Sequence, residues 1–276
     1  MALTRIFITV KTYPTLSEKY DELVCTAGFK EDGTMIRLYP VPFRKLESYL
    51  QYKKYQWIEI DIKKRNKDFR PESFSPVNID VGFTNLSYID SKHWDERRDI
   101  ILSRKVYTNM EELILEAKNP NIQTSLAVVK PSQILDFYWI DDDRSWCQNK
   151  IDAIKARSAQ YNLFENRGNG TFKVVQKIPY KFKYRFTTED GVERNMMIED
   201  WEIGMLYLNC LKSSHGNEQL ACNKVKEKYF HYMVDQRELY FFVGTSISYH
   251  NVGPNPFMII GTFYPPKTDA VQLKMF

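Results

Sequence analysis

Gln56-Trp57-Ile58-Glu59-Ile60-Asp61-Ile62-Lys63 alternates apolar and polar residues at strict period two, the plainest strand signal in the chain. One face carries Gln56, Ile58, Ile60 and Ile62. The other carries Trp57, Glu59, Asp61 and Lys63. Side chains of a strand point alternately to opposite faces, so the isoleucine face is expected inside and the charged face outside. Upstream, Arg5 to Thr12, Glu22 to Phe29 and Met35 to Tyr39 read as further strands. Glu31-Asp32-Gly33-Thr34 reads as a hairpin turn in which Gly33 takes positive φ. Phe43 to Tyr52 reads as a short helix. Ser91 to Arg104 reads as a helix capped by Ser91, and Thr108-Asn109-Met110-Glu111 as a capping box opening a helix to about Lys118. Thr124 to Val129 and Gln133 to Ile140 return to strand.

The second half opens with a break. Residues 141–174 hold Asp141-Asp142-Asp143, a helix-like stretch near Trp146 to Ser158, and the turn-prone Asn166-Arg167-Gly168-Asn169-Gly170. Tyr180-Lys181-Phe182-Lys183-Tyr184-Arg185-Phe186 then alternates aromatic and basic residues. A turn at Glu189-Asp190-Gly191 follows. Asp200 is expected to cap a helix over Trp201 to Leu211, with another helix over Glu218 to Val234. Two strands follow, Glu238 to Thr245 and Phe257 to Tyr264. The pattern predicts an α+β protein. A mixed or barrel-like sheet with a helical insert (residues 1–140) is joined through a connector (141–174) to a smaller α+β unit (175–266) and a tail (267–276).

With 276 residues, 43% hydrophobic and 27% charged, the composition is that of an ordinary globular chain. A net charge of +4 permits nucleic-acid binding but is far from that of a basic tail. Cys25, Cys147, Cys210 and Cys222 form no CxxC pair and read as reduced thiols, with no metal site. No run of 18 apolar residues occurs, and the short apolar run at the N-terminus is broken by Lys11 and Pro14. The expectation is a cytoplasmic protein with no membrane partner.

Gln160-Tyr161-Asn162-Leu163-Phe164 and Gln272-Leu273-Lys274-Met275-Phe276 repeat one pattern, Gln-x-x-(Leu/Met)-Phe. Both resemble the peptide by which bacterial proteins dock onto the replication sliding clamp. In that mode Gln160 and Gln272 hydrogen-bond at the rim, while Leu163, Phe164, Leu273, Met275 and Phe276 are the apolar anchors in a preformed pocket. The resemblance covers ten residues and concerns a tag. Tyr161 stands where leucine is usual, and Lys274 is a less usual third residue. It implies a clamp partner and a place beside DNA, in repair or in conflict with phage and mobile elements.

Three constellations bear on chemistry. Glu59, Asp61 and Lys63 share one strand face and imitate the D-x-K spacing of restriction nucleases, where acidic side chains hold Mg²⁺ beside a lysine. The upstream Pro-Asp of that signature is missing, so Asp32 or Glu47 would have to supply the further carboxylate. The competing reading is a solvated strand face. A nucleic-acid surface is the second constellation. Phosphates need Lys and Arg, and unstacked bases need aromatic platforms. One cluster contains Lys53, Lys54, Lys64, Arg65 and Arg70; another contains Lys181, Lys183 and Arg185. Third, Lys11-Thr12-Tyr13-Pro14 and Arg37-Leu38-Tyr39-Pro40-Val41-Pro42-Phe43-Arg44 set a basic residue and a tyrosine before proline at a strand end. Lys11, Tyr13, Arg37, Tyr39 and Arg44 are thus candidates for a pocket that reads a base. The leading expectation is a DNA- or nucleotide-binding protein. A Mg²⁺-dependent nuclease and an RNA- or modified-base-reading barrel are its rivals.

Overall fold

The computed structural model describes residues 3–17, 21–78, 83–165 and 174–267. The chain runs β1 (Thr4–Lys11), β2 (Thr15–Ser17), β3 (Asp21–Lys30), β4 (Met35–Val41), β5 (Gln56–Ile60), β6 (Ile62–Lys64), β7 (Ser73–Pro76) and β8 (Thr84–Tyr88). There follow α1 (Trp94–Ile101), β9 (Val106–Tyr107), α2 (Met110–Lys118), β10 (Leu126–Val129), β11 (Gln133–Asp141) and α3 (Gln148–Glu165). The last part is β12 (Tyr180–Thr187), β13 (Arg194–Met197), α4 (Trp201–Ser213), α5 (Glu218–Lys226), β14 (Tyr240–Thr245) and β15 (Phe257–Phe263). The protein is α+β.

The opening octet forms two strands where one was expected. The first sheet has the order β6-β7-β4-β3-β1-β5-β8, with β2 on β3. The segments β5 and β6 lie near opposite ends of that order, yet only Asp61 separates them in the chain. The chain therefore bends at Asp61, leaves β1 and joins β7, and the sheet curls back toward itself as a half-barrel. Its concave face buries Ile6, Ile8, Ile36, Leu38, Ile58 and Ile60, so the isoleucine face points inward as its periodicity requires. The outer face of the same strands carries Phe7, Val10, Ala27 and Phe29. Val10 joins that outer set because the register shifts between Ile8 and Val10. Such an irregularity reverses side-chain parity along a strand.

The outer face packs on a second sheet, β15-β14-β10-β9, through Phe29 against Phe242 at 6.2 Å, with Phe263 of that second sheet 6.5 Å from Phe242. A third sheet, β11-β12-β13, turns Phe182, Tyr184 and Phe186 inward against α4 and α5, leaving its lysines and Arg185 on the other face. An isolated bridge between Ile198 and Ile259 ties the second and third sheets.

Several local expectations shift. The 43–52 segment forms two 3-10 turns, Phe43–Lys45 and Ser48–Leu50, because Phe43 and Tyr52 are drawn into the half-barrel against each other. The first helix starts at Trp94 after His93, not Ser91; Asp90 accepts from the Lys92 amide and the His93 ring and holds 90–93 as a turn. Asn109, not Thr108, caps α2, accepting from the Glu111 and Glu112 amides at 2.9 and 3.2 Å. The Thr108 hydroxyl donates to Glu189 instead. The helix expected to reach Val234 becomes π-helical over Glu227–Tyr232. Residues 141–174 contain the eighteen-residue α3, whose Ile154 packs with Leu16 and Val175. The Gly33 turn forms with φ +77°. Among the described residues no helix is long and apolar enough to cross a membrane, and all four cysteines are free thiols.

Phe242 is fully buried where the first two sheets meet. Phe242→Ala is expected to cost about 3–5 kcal/mol, read as a lowered denaturation midpoint with an unchanged slope. A loss below about 1 kcal/mol would show that this junction does not hold the sheets together.

Candidate functional site

Arg37 projects from β4 into the seam between the first two sheets and is only 4% exposed. Its Nη1 donates to Ser73 Oγ at 3.0 Å and Ser125 Oγ at 2.9 Å. Its Nη2 donates to the carbonyls of Ser125 at 3.0 Å and Thr245 at 3.3 Å. Glu72 holds Ser125 in place by accepting from its amide and hydroxyl at 3.0 and 2.7 Å. Among the described residues no carboxylate lies within ion-pair distance of Arg37, so the buried guanidinium is held by hydrogen bonds, with Glu72 and Asp68 acting on it only at longer range. Arg70 is treated differently. Asp68 grips it bidentately at 2.8 and 2.7 Å, and its Nη1 donates to the Thr245 carbonyl. The Asp68 carboxyl lies near pKa 2; burial opposes that ionisation, and Arg70 overcomes it. Arg65 sits over the Tyr39 ring, 4.8 Å from its centroid, and 3.8 Å from Asp68.

Arg37, Tyr39, Arg65, Arg70 and Thr245 line one cavity of about 390 Å³, with Cys25 and Glu199 also in its wall. Burial raises the Cys25 thiol against the pull of Arg37 and Arg70, which disfavours its thiolate. Thr15 and Glu199 also line a second cavity of about 160 Å³. There Tyr13, Trp146, Tyr180 and Phe182 supply ring surface, and Lys177 and Lys181 supply charge. The Tyr13 hydroxyl donates to the Gln176 carbonyl at 2.7 Å, and the Trp146 indole to the Val175 carbonyl at 2.7 Å. The flank of Tyr13 rests on Gly204 of α4, where any Cβ would come within 2.3 Å of the ring. Lys177 and Lys181 both pair with Asp142, the latter at 2.9 Å. Burial raises the Glu199 carboxyl, against the pull of Lys181 and Lys177.

Lys11 and Lys54 lie behind this wall and are occupied by the fold. The Lys11 ammonium sits over the rings of Phe43 at 4.3 Å and Trp201 at 5.5 Å and donates to the Tyr52 carbonyl at 3.3 Å. Burial lowers it to about 8, despite Glu202 and Asp200. Lys54 donates to Glu202 at 2.6 Å and to the Thr262 carbonyl at 3.0 Å. Asp200 caps α4 through Oδ1, as its position before Trp201 implied, but its buried Oδ2 finds no hydrogen-bond partner among the described residues.

The remaining candidates are dispersed. Arg44 pairs with Glu22 at 2.5 Å, and Lys53 lies 5.5 Å from the Tyr88 ring centroid. Lys64 donates to the Arg70 and Pro71 carbonyls, bracing the Asp68–Arg70 turn. Lys183 and Arg185 stand on the outer face of β12, with Arg185 3.6 Å from Glu193. Glu59 binds Arg5 at 3.2 Å, Lys63 reaches the Val77 carbonyl at 3.4 Å, and a buried Asp61 oxygen has no hydrogen-bond partner among the described residues. Neither Asp32 nor Glu47 completes a Mg²⁺ site with them, and among the described residues no group of three His, Cys, Asp or Glu is placed to hold a metal ion. Gln160, Leu163 and Phe164 fall in the closing turns of α3, while Gln272, Leu273, Met275 and Phe276 lie outside the described residues. Sequence reasoning missed Glu199, and it missed Ser73, Ser125 and Thr245, whose role is to receive Arg37 from distant parts of the chain.

Fold and site together define an α+β protein with an arginine-lined cavity between two sheets. The chain belongs to the family described as Domain of unknown function (DUF8757), which it matches over residues 106–276; residues 2–103 match Domain of unknown function (DUF8758). No curated protein matches it. The cavity straddles both matched segments: Arg37, Tyr39, Arg65 and Arg70 come from the first, Glu199 and Thr245 from the second.

Burial raises the Asp200 carboxyl to about 7, which Lys54 partly opposes and Glu202 reinforces. The folded protein therefore holds this proton more tightly than the unfolded chain. The stability it contributes is full below the ordinary carboxyl value of 3.8 and is lost as pH rises through about 7. Asn caps as well as Asp. The melting temperature of Asp200→Asn should therefore gain on that of the native protein as pH rises from 5 to 8. A constant difference over that range would show that Asp200 ionises as an exposed carboxyl does.

Proposed function

We propose that this protein binds nucleic acid and holds one nucleotide across the two adjoining cavities. The reading is carried by Arg37, a buried guanidinium with no carboxylate in direct ion-pair contact among the described residues, in the wall of a cavity of about 390 Å³. Ligand sites commonly span roughly 300–1,000 Å³. A buried cation whose carboxylates, Glu72 and Asp68, stand only at longer range is costly, and a phosphate entering the cavity adds a nearer negative charge. Arg65 sits at the same wall, partly exposed, over the Tyr39 ring and 3.8 Å from Asp68. The smaller cavity offers ring faces for a base, and Glu199 between the two offers one group to the base edge. DNA is the favoured polymer. RNA is the alternative, and the 2′-hydroxyl is the feature by which the two separate.

We also propose that the paired Gln-x-x-(Leu/Met)-Phe peptides deliver this binding unit to a bacterial sliding clamp in the cytoplasm, in DNA repair or in conflict with phage or mobile elements. The support is the pair of sequences. Docking of the first copy in extended form requires residues 160–164 to leave the last turns of α3.

Arg65→Ala should weaken binding to a short single-stranded DNA about tenfold and reduce the salt slope by about one, with melting temperature preserved. Undiminished binding would remove the cavity from the reading. Phe164→Ala combined with Phe276→Ala should abolish capture of the clamp from bacterial lysate, and unchanged capture would end the clamp proposal.

A further inference from the structure

Two turns border the mouth of the arginine cavity. The first, residues 65–70, sends Arg65 into the cavity and presents Phe69, which is 41% exposed. The second follows β14. Thr245 and Ser246 line the cavity, and Ile247, Tyr249 and Val252 are 43%, 63% and 78% exposed. Ile247 itself reaches the cavity wall. Neither turn is loosely held. Arg37 and Arg70 both donate to the Thr245 carbonyl. His250 is fully buried, shares a hydrogen bond with Thr245 Oγ1 at 2.8 Å, and bonds the Ala117 carbonyl at 2.9 Å. Phe69 packs edge-on against His250 at 5.2 Å, which couples the two turns. The Ser246 carbonyl accepts from the Tyr249 and His250 amides and closes the second turn.

The same arginines that line the cavity thus also pin an apolar ridge at its lip. A soluble chain that leaves three large apolar side chains in water on one short, braced turn gains nothing in folding from them, and such exposed groups mark a contact surface. Proteins that open a duplex insert apolar side chains between base steps, and enzymes and readers of single bases extrude the base into a pocket. Charge on the lip agrees, since Lys67 is exposed on the first turn and Arg65 faces the cavity.

Resting on the reading of the cavity as a nucleotide site, we propose that Ile247, Tyr249 and Val252 form a wedge that enters the base stack. The substrate is then a nucleotide extruded from double-stranded nucleic acid, not one already unpaired. The wedge takes the place of the departed base, Tyr249 stacks on the neighbouring pair, and the extruded phosphate meets Arg65 and Arg37.

The test uses a duplex with 2-aminopurine opposite a mismatch and the same strand unpaired. The native protein should raise 2-aminopurine fluorescence in the duplex on binding. Tyr249→Ser with Val252→Ser should weaken duplex binding by at least about tenfold and remove the fluorescence rise, while single-strand affinity stays within about twofold. Both positions are exposed and outside the cavity lining, and an unchanged melting temperature confirms the fold of the variant. A native protein that binds the single strand but gives no fluorescence rise on the duplex overturns the wedge alone. Equal loss on duplex and single strand in the variant also overturns it. A native protein that binds neither overturns the wedge together with the nucleotide reading.

Discussion

The constraint on which the rest depends is the burial of Arg37. Five N–H donors in a rigid plane need fixed acceptors, and a buried guanidinium that lacks them is costly to the fold. The acceptors here come from Ser73 at the start of β7, Ser125 just before β10 and Thr245 at the end of β14. One side chain thereby fixes the half-barrel relative to the second sheet. The apolar contacts of Phe29, Phe242 and Phe263 supply the area, but they are tolerant of sliding. The arginine fork is directional and sets the register of the seam. Arg70 repeats the device on the same carbonyl.

That arrangement separates charge from its counter-charge. Asp68 grips Arg70 and lies 3.8 Å from Arg65, and Glu72 accepts from Ser125. Arg37 is held by hydrogen bonds, with no direct ion pair among the described residues, at the wall of a cavity that opens between two halves of the chain. The structural role of the arginine and the one proposed for it therefore coincide: the cavity is where the two matched segments meet, and Arg37 lines it while bonding across the meeting.

On the opposite side of the seam, Lys11 and Lys54 face Asp200 and Glu202 in a second buried set. Here the cations are caged by rings or paired, and the charge is internal to the fold. The two sets look alike in sequence, as basic residues beside aromatics. They differ in what surrounds them: Arg37 borders open space, while Lys11 is covered by Phe43 and Trp201.

The sequence by itself determined the strands and their faces, because alternation at period two needs no knowledge of partners. Ile58 and Ile60 point inward, Tyr180 to Phe186 splits into aromatic and basic faces, Gly33 turns the hairpin and Asp200 caps α4, all from local geometry. It also marked Arg37, Tyr39, Arg65 and Arg70 as candidates. Only the tertiary structure decided that these four share one cavity while Lys53, Lys183 and Arg185 do not, and that Glu59, Asp61 and Lys63 stand without a third carboxylate among the described residues. The reason is physical. A hydrogen bond from Arg37 to Thr245 crosses 208 residues, and no periodicity along the chain encodes which distant carbonyl a buried guanidinium will find. The bend at Asp61 is of the same kind: one unbroken alternation becomes two strands because closing the sheet demands it, and closure is a property of all its strands at once.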